Sequence, residues 1–217
     1  MRDLFDEIEI DNAGPDVELA PGAMLLGGFA RPFEAKLVAE VRAMTERAPF
    51  RHLITPGGHR MSVGMTNCGS VGWVSDHRGY RYDAIDPDSG RPWPAMPDVF
   101  IALASDAAAK GGFMDFRPDA CLINRYEPGA KLSLHQDKDE LDLDAPIVSV
   151  SLGLPAVFQF GGFKRSDRPD RHRLRHGDVV VWGGPSRLAF HGVLPLADGE
   201  HPLLGRQRIN LTFRKTR

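Results

Sequence analysis

The chain has 217 residues, enough for one large domain with a real core, and its 42% apolar content is that of an ordinary soluble globular protein. Its 27 basic and 29 acidic side chains leave a formal net charge of -2, which excludes a polycation; any contact with nucleic acid must use a local basic surface. Two cysteines far apart, Cys68 and Cys121, exclude a disulfide framework, and no apolar run approaches the length of a membrane span. The first ten residues are acidic and lack the apolar stretch of a signal peptide, so the expected address is the cytoplasm, with no membrane partner.

Residues 1–22 read as a loosely held lead-in, although Val17 to Leu26 also has the pattern of a first strand broken at Pro21-Gly22. Pro32 then opens a helix that carries Phe33, Leu37, Val41 and Met44 on one face and stops before Pro49. From 51 to 90 the chain is dense in Gly, Ser, Asn and Asp. It holds a short β-like piece at 61–65 and the aromatics Trp73, Tyr80 and Tyr82 beside Arg78 and Arg81. That layer is either a hairpin-rich surface whose aromatics cover their own small core or a lid that stacks on a flat ligand such as a base. An extended connector at 91–97 leads to a second packing helix with a stripe of Val99, Phe100, Leu103, Ala104 and Ala107, halted by Gly111-Gly112.

Beyond residue 119 the pattern is all-β, with strands expected at 120–126, 131–136, 147–152, 156–161, 171–175, 178–182, 187–193 and 206–214. Eight short strands without intervening helices predict a sandwich or jelly roll. The basic run at 164–175 holds five arginines and reads as a solvated hairpin face or as a phosphate-facing edge.

The chemistry is carried by three motifs. In His135-x-Asp137 the period of a strand points both side chains to one side, so imidazole and carboxylate converge. A second imidazole would complete the two-histidine, one-carboxylate facial triad of non-haem Fe(II) oxygenases, and His191, at the end of an apolar strand before Gly192, is the best third ligand. In the last strand Arg208, Asn210, Thr212 and Arg214 share one face while Ile209, Leu211 and Phe213 share the other. Two guanidiniums and an amide suit a dicarboxylate, because arginine binds carboxylate as a fork, and Asn124 and Tyr126 at i and i+2 extend that pocket. Triad and arginine face together predict iron plus an α-keto acid.

These motifs (Asn124-Arg125-Tyr126-x-Pro-Gly, His135-x-Asp137, His191 and Arg208-x-Asn210-x-Thr212-x-Arg214) resemble those of the AlkB family of Fe(II)/2-oxoglutarate-dependent dioxygenases. The similarity extends upstream through Met61-Ser-Val-Gly-Met65-Thr-Asn-Cys68-Gly, so it covers nearly all of the chain beyond the lead-in. It implies an α+β, mainly β fold: a double-stranded β-helix (jelly roll) core over 119–217, with flanking helices and an N-terminal nucleotide-recognition lid over 23–118. It implies Fe(II) on His135, Asp137 and His191. It implies 2-oxoglutarate, with O2 as the other co-substrate, on a set comprising Asn124, Arg125, Tyr126, Arg208, Asn210, Thr212 and Arg214. The substrate would meet Met65, Trp73, Tyr80, Arg81, Tyr82, Asp139 and Arg165, with Thr55, Lys131 and Gln136 near phosphates. The implied activity is oxidative demethylation of 1-methyladenine and 3-methylcytosine in single-stranded or duplex DNA, and in RNA, by a monomer. The alternative is a 2-oxoglutarate-dependent hydroxylase of a protein or small molecule.

Overall fold

The computed structural model describes residues 14–217; the part of the expected lead-in before residue 14 lies outside the described residues. Strands β1 (Val17–Ala20) and β2 (Ala23–Leu26) form a hairpin around Pro21-Gly22, so the end of the supposed lead-in is a paired strand. Gly22 sits at φ +77°, where a Cβ would lie 2.7 Å from the Gly183 carbonyl oxygen, so only glycine closes this turn against its neighbour. Helix α1 (Glu34–Arg47) follows a 3-10 turn at Arg31–Phe33 and buries Leu37, Val41 and Met44 of the expected stripe together with Val38, while Phe33 lies in the turn and is half-buried. Next come β3 (Gly64–Gly69), β4 (Gly72–Asp76), β5 (Gly79–Asp83) and helix α2 (Asp98–Lys110), which buries Phe100, Leu103, Ala104, Ala107 and Ala108. The strand expected at 61–65 therefore begins at Gly64 and runs on to Gly69.

The remaining strands are β6 (Ala120–Tyr126), β7 (Leu132–His135), β8 (Ile147–Gly153), β9 (Ala156–Phe160), β10 (Asp170–Leu174), β11 (Val179–Trp182), β12 (His191–Val193) and β13 (Arg208–Arg214). Only the strand expected at 187–193 is much shorter. The chain turns first, with the Arg187 and Ala189 amides donating to the Gly184 and Ser186 carbonyls.

One sheet has the order β1-β2-β11-β8-β13-β6-β3, a second has β10-β9-β12-β7, and β4-β5 is a separate hairpin. β2 and β3 flank strands from the second half of the chain, so residues 23–118 and 119–217 share the larger sheet. That sheet packs against apolar side chains on both faces. Val148, Val150, Val179, Val181, Ile209, Leu211 and Phe213 pack with α1 and α2, whereas Leu122, Tyr126, Ile147, Val180 and Trp182 pack with Phe158 and Phe160 of the smaller sheet. This is the jelly-roll arrangement, with its cavity between the sheets. Cys68 and Cys121 are free and buried on the helix side. No helix of the described residues is long and apolar enough to cross a membrane.

Candidate active site

A cavity of about 820 Å³ opens between the sheets, lined from β3, β6, β7, β12 and β13 and by Trp73 and Tyr80 of the β4-β5 hairpin. Antiparallel pairing of β12 with β7 sets His191 directly opposite His135, with ring centroids 4.3 Å apart. Asp137 follows two residues on, 3.7 Å from His135 Nε2 through one oxygen and 3.8 Å from His191 Nε2 through the other. One donor atom from each residue falls within 4.8 Å of the other two, and no other such group occurs among the described residues.

Tautomers follow from the backbone. His135 Nδ1 lies 2.9 Å from the Ser133 carbonyl and His191 Nδ1 lies 3.1 Å from the Ala189 carbonyl. A carbonyl only accepts, so each Nδ1 carries the proton and each Nε2 turns its lone pair to the common point. Burial, aided by His135, pushes the His191 imidazole down to about 3, so it stays neutral and able to ligate. Burial would raise the Asp137 carboxyl, but Arg214 and the two histidines hold it well below the usual carboxylate range.

Arg214 reaches Asp137 Oδ2 through Nη2 at 2.6 Å and Nε at 3.0 Å. Arg208 is almost fully buried, and its Nη2 donates to Ser151 Oγ at 2.7 Å. Its Nε and Nη1 have no partner, and Asn124 Oδ1 is likewise unsatisfied. Desolvation of this kind is costly without an anion, and burial lowers the Arg208 pKa. A carboxylate would satisfy both guanidinium nitrogens. Asn210 Nδ2 bonds Ser149 Oγ, its Oδ1 accepts from Thr212, and Asn124 Nδ2 lies 3.3 Å from that same oxygen, so the amides are pre-set. Two imidazoles and a carboxylate with open space beside an orphaned guanidinium fit a divalent iron and a chelating dicarboxylate.

A family model described as the 2OG-Fe(II) oxygenase superfamily matches residues 22–214. The chain is also 57% identical over 216 residues to the alpha-ketoglutarate-dependent dioxygenase AlkB of Escherichia coli (strain K12), covering 99% of this chain and 98% of that one. The chain belongs to the AlkB family. Similarity to the tRNA demethylase abh1 of Schizosaccharomyces pombe is 37% identity over 117 residues, 48% of this chain and 39% of that one. The solved structure of OsALKBH1 superposes with a TM-score of 0.83 at 30% identity, covering 93% of this chain and 100% of that one. As a member of this family the protein is a dioxygenase that uses Fe(II), 2-oxoglutarate and O2.

Not every residue expected at this AlkB-family site lies in the cavity. Met65, Trp73, Tyr80, Asp139 and Arg165 line it, as do Thr55, Lys131 and Gln136. Trp73 stacks on Tyr80 with centroids 5.4 Å apart at 14°, and its indole N–H donates to Asp139 Oδ2 at 2.9 Å. Gln136 Nε2 is committed to the Leu188 carbonyl at 2.6 Å. Arg125 is placed elsewhere: strand alternation turns it away from Asn124 and Tyr126, and its guanidinium lies 4.9 Å over Phe50. Arg81 is held in a two-point pair with Asp76 at 2.9 and 3.0 Å. Tyr82 points inward, donating to Glu140 Oε1 at 2.5 Å. Glu140 and its partner Arg187 went unnoticed in the sequence, because nothing in strand or helix spacing links residues that meet only through the fold.

Proposed function

We propose that the protein oxidatively removes methyl groups from ring nitrogens of nucleobases such as 1-methyladenine and 3-methylcytosine, in DNA and by the same chemistry in RNA. The observation that carries this reading is the mouth of the cavity: a flat Trp73–Tyr80 stack beside the Asp139 carboxylate, opening onto the His135, Asp137 and His191 cluster. An aromatic platform accepts any base face, and a carboxylate favours the cation that ring methylation creates. A methylated base that cannot pair is also the easiest to unstack. Bound iron and 2-oxoglutarate supply the oxidation: O2 gives one oxygen atom to the N-methyl carbon and one to succinate, CO2 leaves, and the N-hydroxymethyl product releases formaldehyde and the restored base.

The chain's own residues set the stage for this. His135, Asp137 and His191 would hold the metal, Arg208 would take the distal carboxylate of 2-oxoglutarate, and Arg214, beside Asp137, would meet its keto-acid end. The test is formaldehyde release from a single-stranded oligonucleotide carrying one 1-methyladenine, with Fe(II), ascorbate and O2, with and without 2-oxoglutarate. Release only with 2-oxoglutarate is the expected result. Consumption of 2-oxoglutarate without release would keep the oxygenase and reject this substrate.

A further inference from the structure

Behind the cavity lies a buried charge cluster that the family's chemistry does not by itself require. The Glu140 side chain is 2% exposed and Arg187 is 4% exposed, and their Oε2 and Nη2 are 3.1 Å apart. Arg187 also donates through Nη1 to the Asp137 carbonyl at 2.7 Å and through Nε to the Ala145 carbonyl at 2.9 Å. The other oxygen of Glu140 lies 3.3 Å from Arg214 Nε and accepts the Tyr82 hydroxyl. One carboxylate thus gathers the arginine on the backbone of Asp137, the arginine on its side chain, and a tyrosine from the hairpin that carries Trp73.

We propose that Glu140 is a positioning residue for the iron and 2-oxoglutarate site, and that Tyr82 ties the β4-β5 hairpin to it. Two carboxylates, Asp137 and Glu140, face two guanidiniums, Arg187 and Arg214, so the buried group is charge-balanced before ligands arrive. A divalent metal and a doubly charged keto acid together add no net charge to these four side chains, and the distal carboxylate of the keto acid would face Arg208, which stands outside the group. Remove the Glu140 charge and Arg214 has only Asp137 to face, drawing that carboxylate away from the histidines. Remove the Tyr82 hydroxyl and the hairpin loses its bond to the group that fixes the metal ligand. Burial and the neighbouring carboxylates raise the Tyr82 phenol pKa well above its ordinary value, so it stays a donor. The inference concerns the metal and co-substrate site, so it stands or falls separately from the nucleobase reading.

The test uses the full chain loaded with Fe(II) under nitrogen and titrated with 2-oxoglutarate, followed by the visible charge-transfer absorption of the complex. Amide hydrogen exchange over residues 72–83 is recorded with and without both ligands, and no nucleic acid is present. In the wild type, ligand binding is expected to slow exchange in the hairpin. In Tyr82→Phe that slowing is expected to vanish. Glu140→Gln, which keeps the shape and loses the charge, is expected to weaken 2-oxoglutarate binding roughly tenfold or more, the loss typical of a hydrogen bond to a charged group. If Glu140→Gln does not fold, Glu140→Asp, which keeps the charge but draws it back by one methylene from Arg214 and Tyr82, takes its place in the 2-oxoglutarate titration and is judged by the same outcomes. Hairpin exchange that responds to ligands in Tyr82→Phe as in the wild type, or does not respond in the wild type, overturns the coupling. An unchanged affinity in a folded Glu140→Gln overturns the positioning role.

Discussion

A guanidinium with two unpaired nitrogens and almost no water around it raises the energy of the ligand-free protein, and Arg208 keeps that state in the middle of a sheet. A carboxylate would recover that loss, so the residue is expected to act on affinity more than on rate. Arg208→Ala is expected to raise the KM for 2-oxoglutarate by about two orders of magnitude, the equivalent of ~3 kcal/mol for a charge-assisted pair, with a smaller change in kcat. Arg208→Lys keeps the charge without the fork and should fall between; steady-state kinetics over a 2-oxoglutarate series checks both. The residues of the His135, Asp137 and His191 cluster should differ from one another as well. His135 is one-third exposed, so His135→Ala is expected to abolish turnover and leave the melting temperature near wild type. Asp137→Ala also abolishes turnover, but it leaves the buried Arg214 with only the longer contact to Glu140 and should cost about 3–5 kcal/mol of stability. Equal stability losses would show that Arg214 finds another partner.

At the scale of the element, β13 divides its work by alternation. Its odd-numbered residues join the helix-side core and its even-numbered ones line the cavity. Leu211→Ala should therefore cost about 2–5 kcal/mol in chemical denaturation yet leave the 2-oxoglutarate KM unchanged below the melting range. The β4-β5 hairpin should behave oppositely. Trp73→Ala is expected to lower kcat/KM on the methylated oligonucleotide roughly tenfold to a hundredfold, the range of a lost base stack, while 2-oxoglutarate turnover without substrate persists. This division also explains what was legible in the sequence. Alternation reports which side chains share a face, so the triad, the Arg208 face and both apolar helix stripes could be read directly. It does not report which face meets what. Tyr82 therefore read as a nucleic-acid contact when its hydroxyl turns inward to Glu140, and Arg125 read as part of a binding motif when its strand turns it onto Phe50. Glu140 and Arg187 meet only because the loop after β7 folds against the turn before β12, and no local period encodes that.

Across the whole molecule, the hairpin and its flanking loops must be held to a sheet that they do not extend. One anchor is ionic. Arg51, bridged to Met65 at the edge of the large sheet, reaches Asp86 at 2.7 Å, and the Asp86 amide bonds the Arg91 carbonyl in the loop beyond the hairpin. Burial would raise the Asp86 carboxyl, but Arg51 and Ser89 bring it below its ordinary 3.8. Because the folded pKa is the lower one, the unfolded chain takes up the proton first as pH falls. The stability contributed by Asp86 is thus complete above its unfolded pKa and is lost as pH drops below about 4. Asp86→Asn should be less stable than wild type at pH 7, by about 1–3 kcal/mol for a buried hydrogen-bonded charge that loses its role. The deficit should shrink as pH falls below about 4 and the wild type loses the same interaction. Urea midpoints measured across that range decide the matter: converging curves place the anchor at Asp86, and parallel curves place the acid sensitivity in other carboxylates.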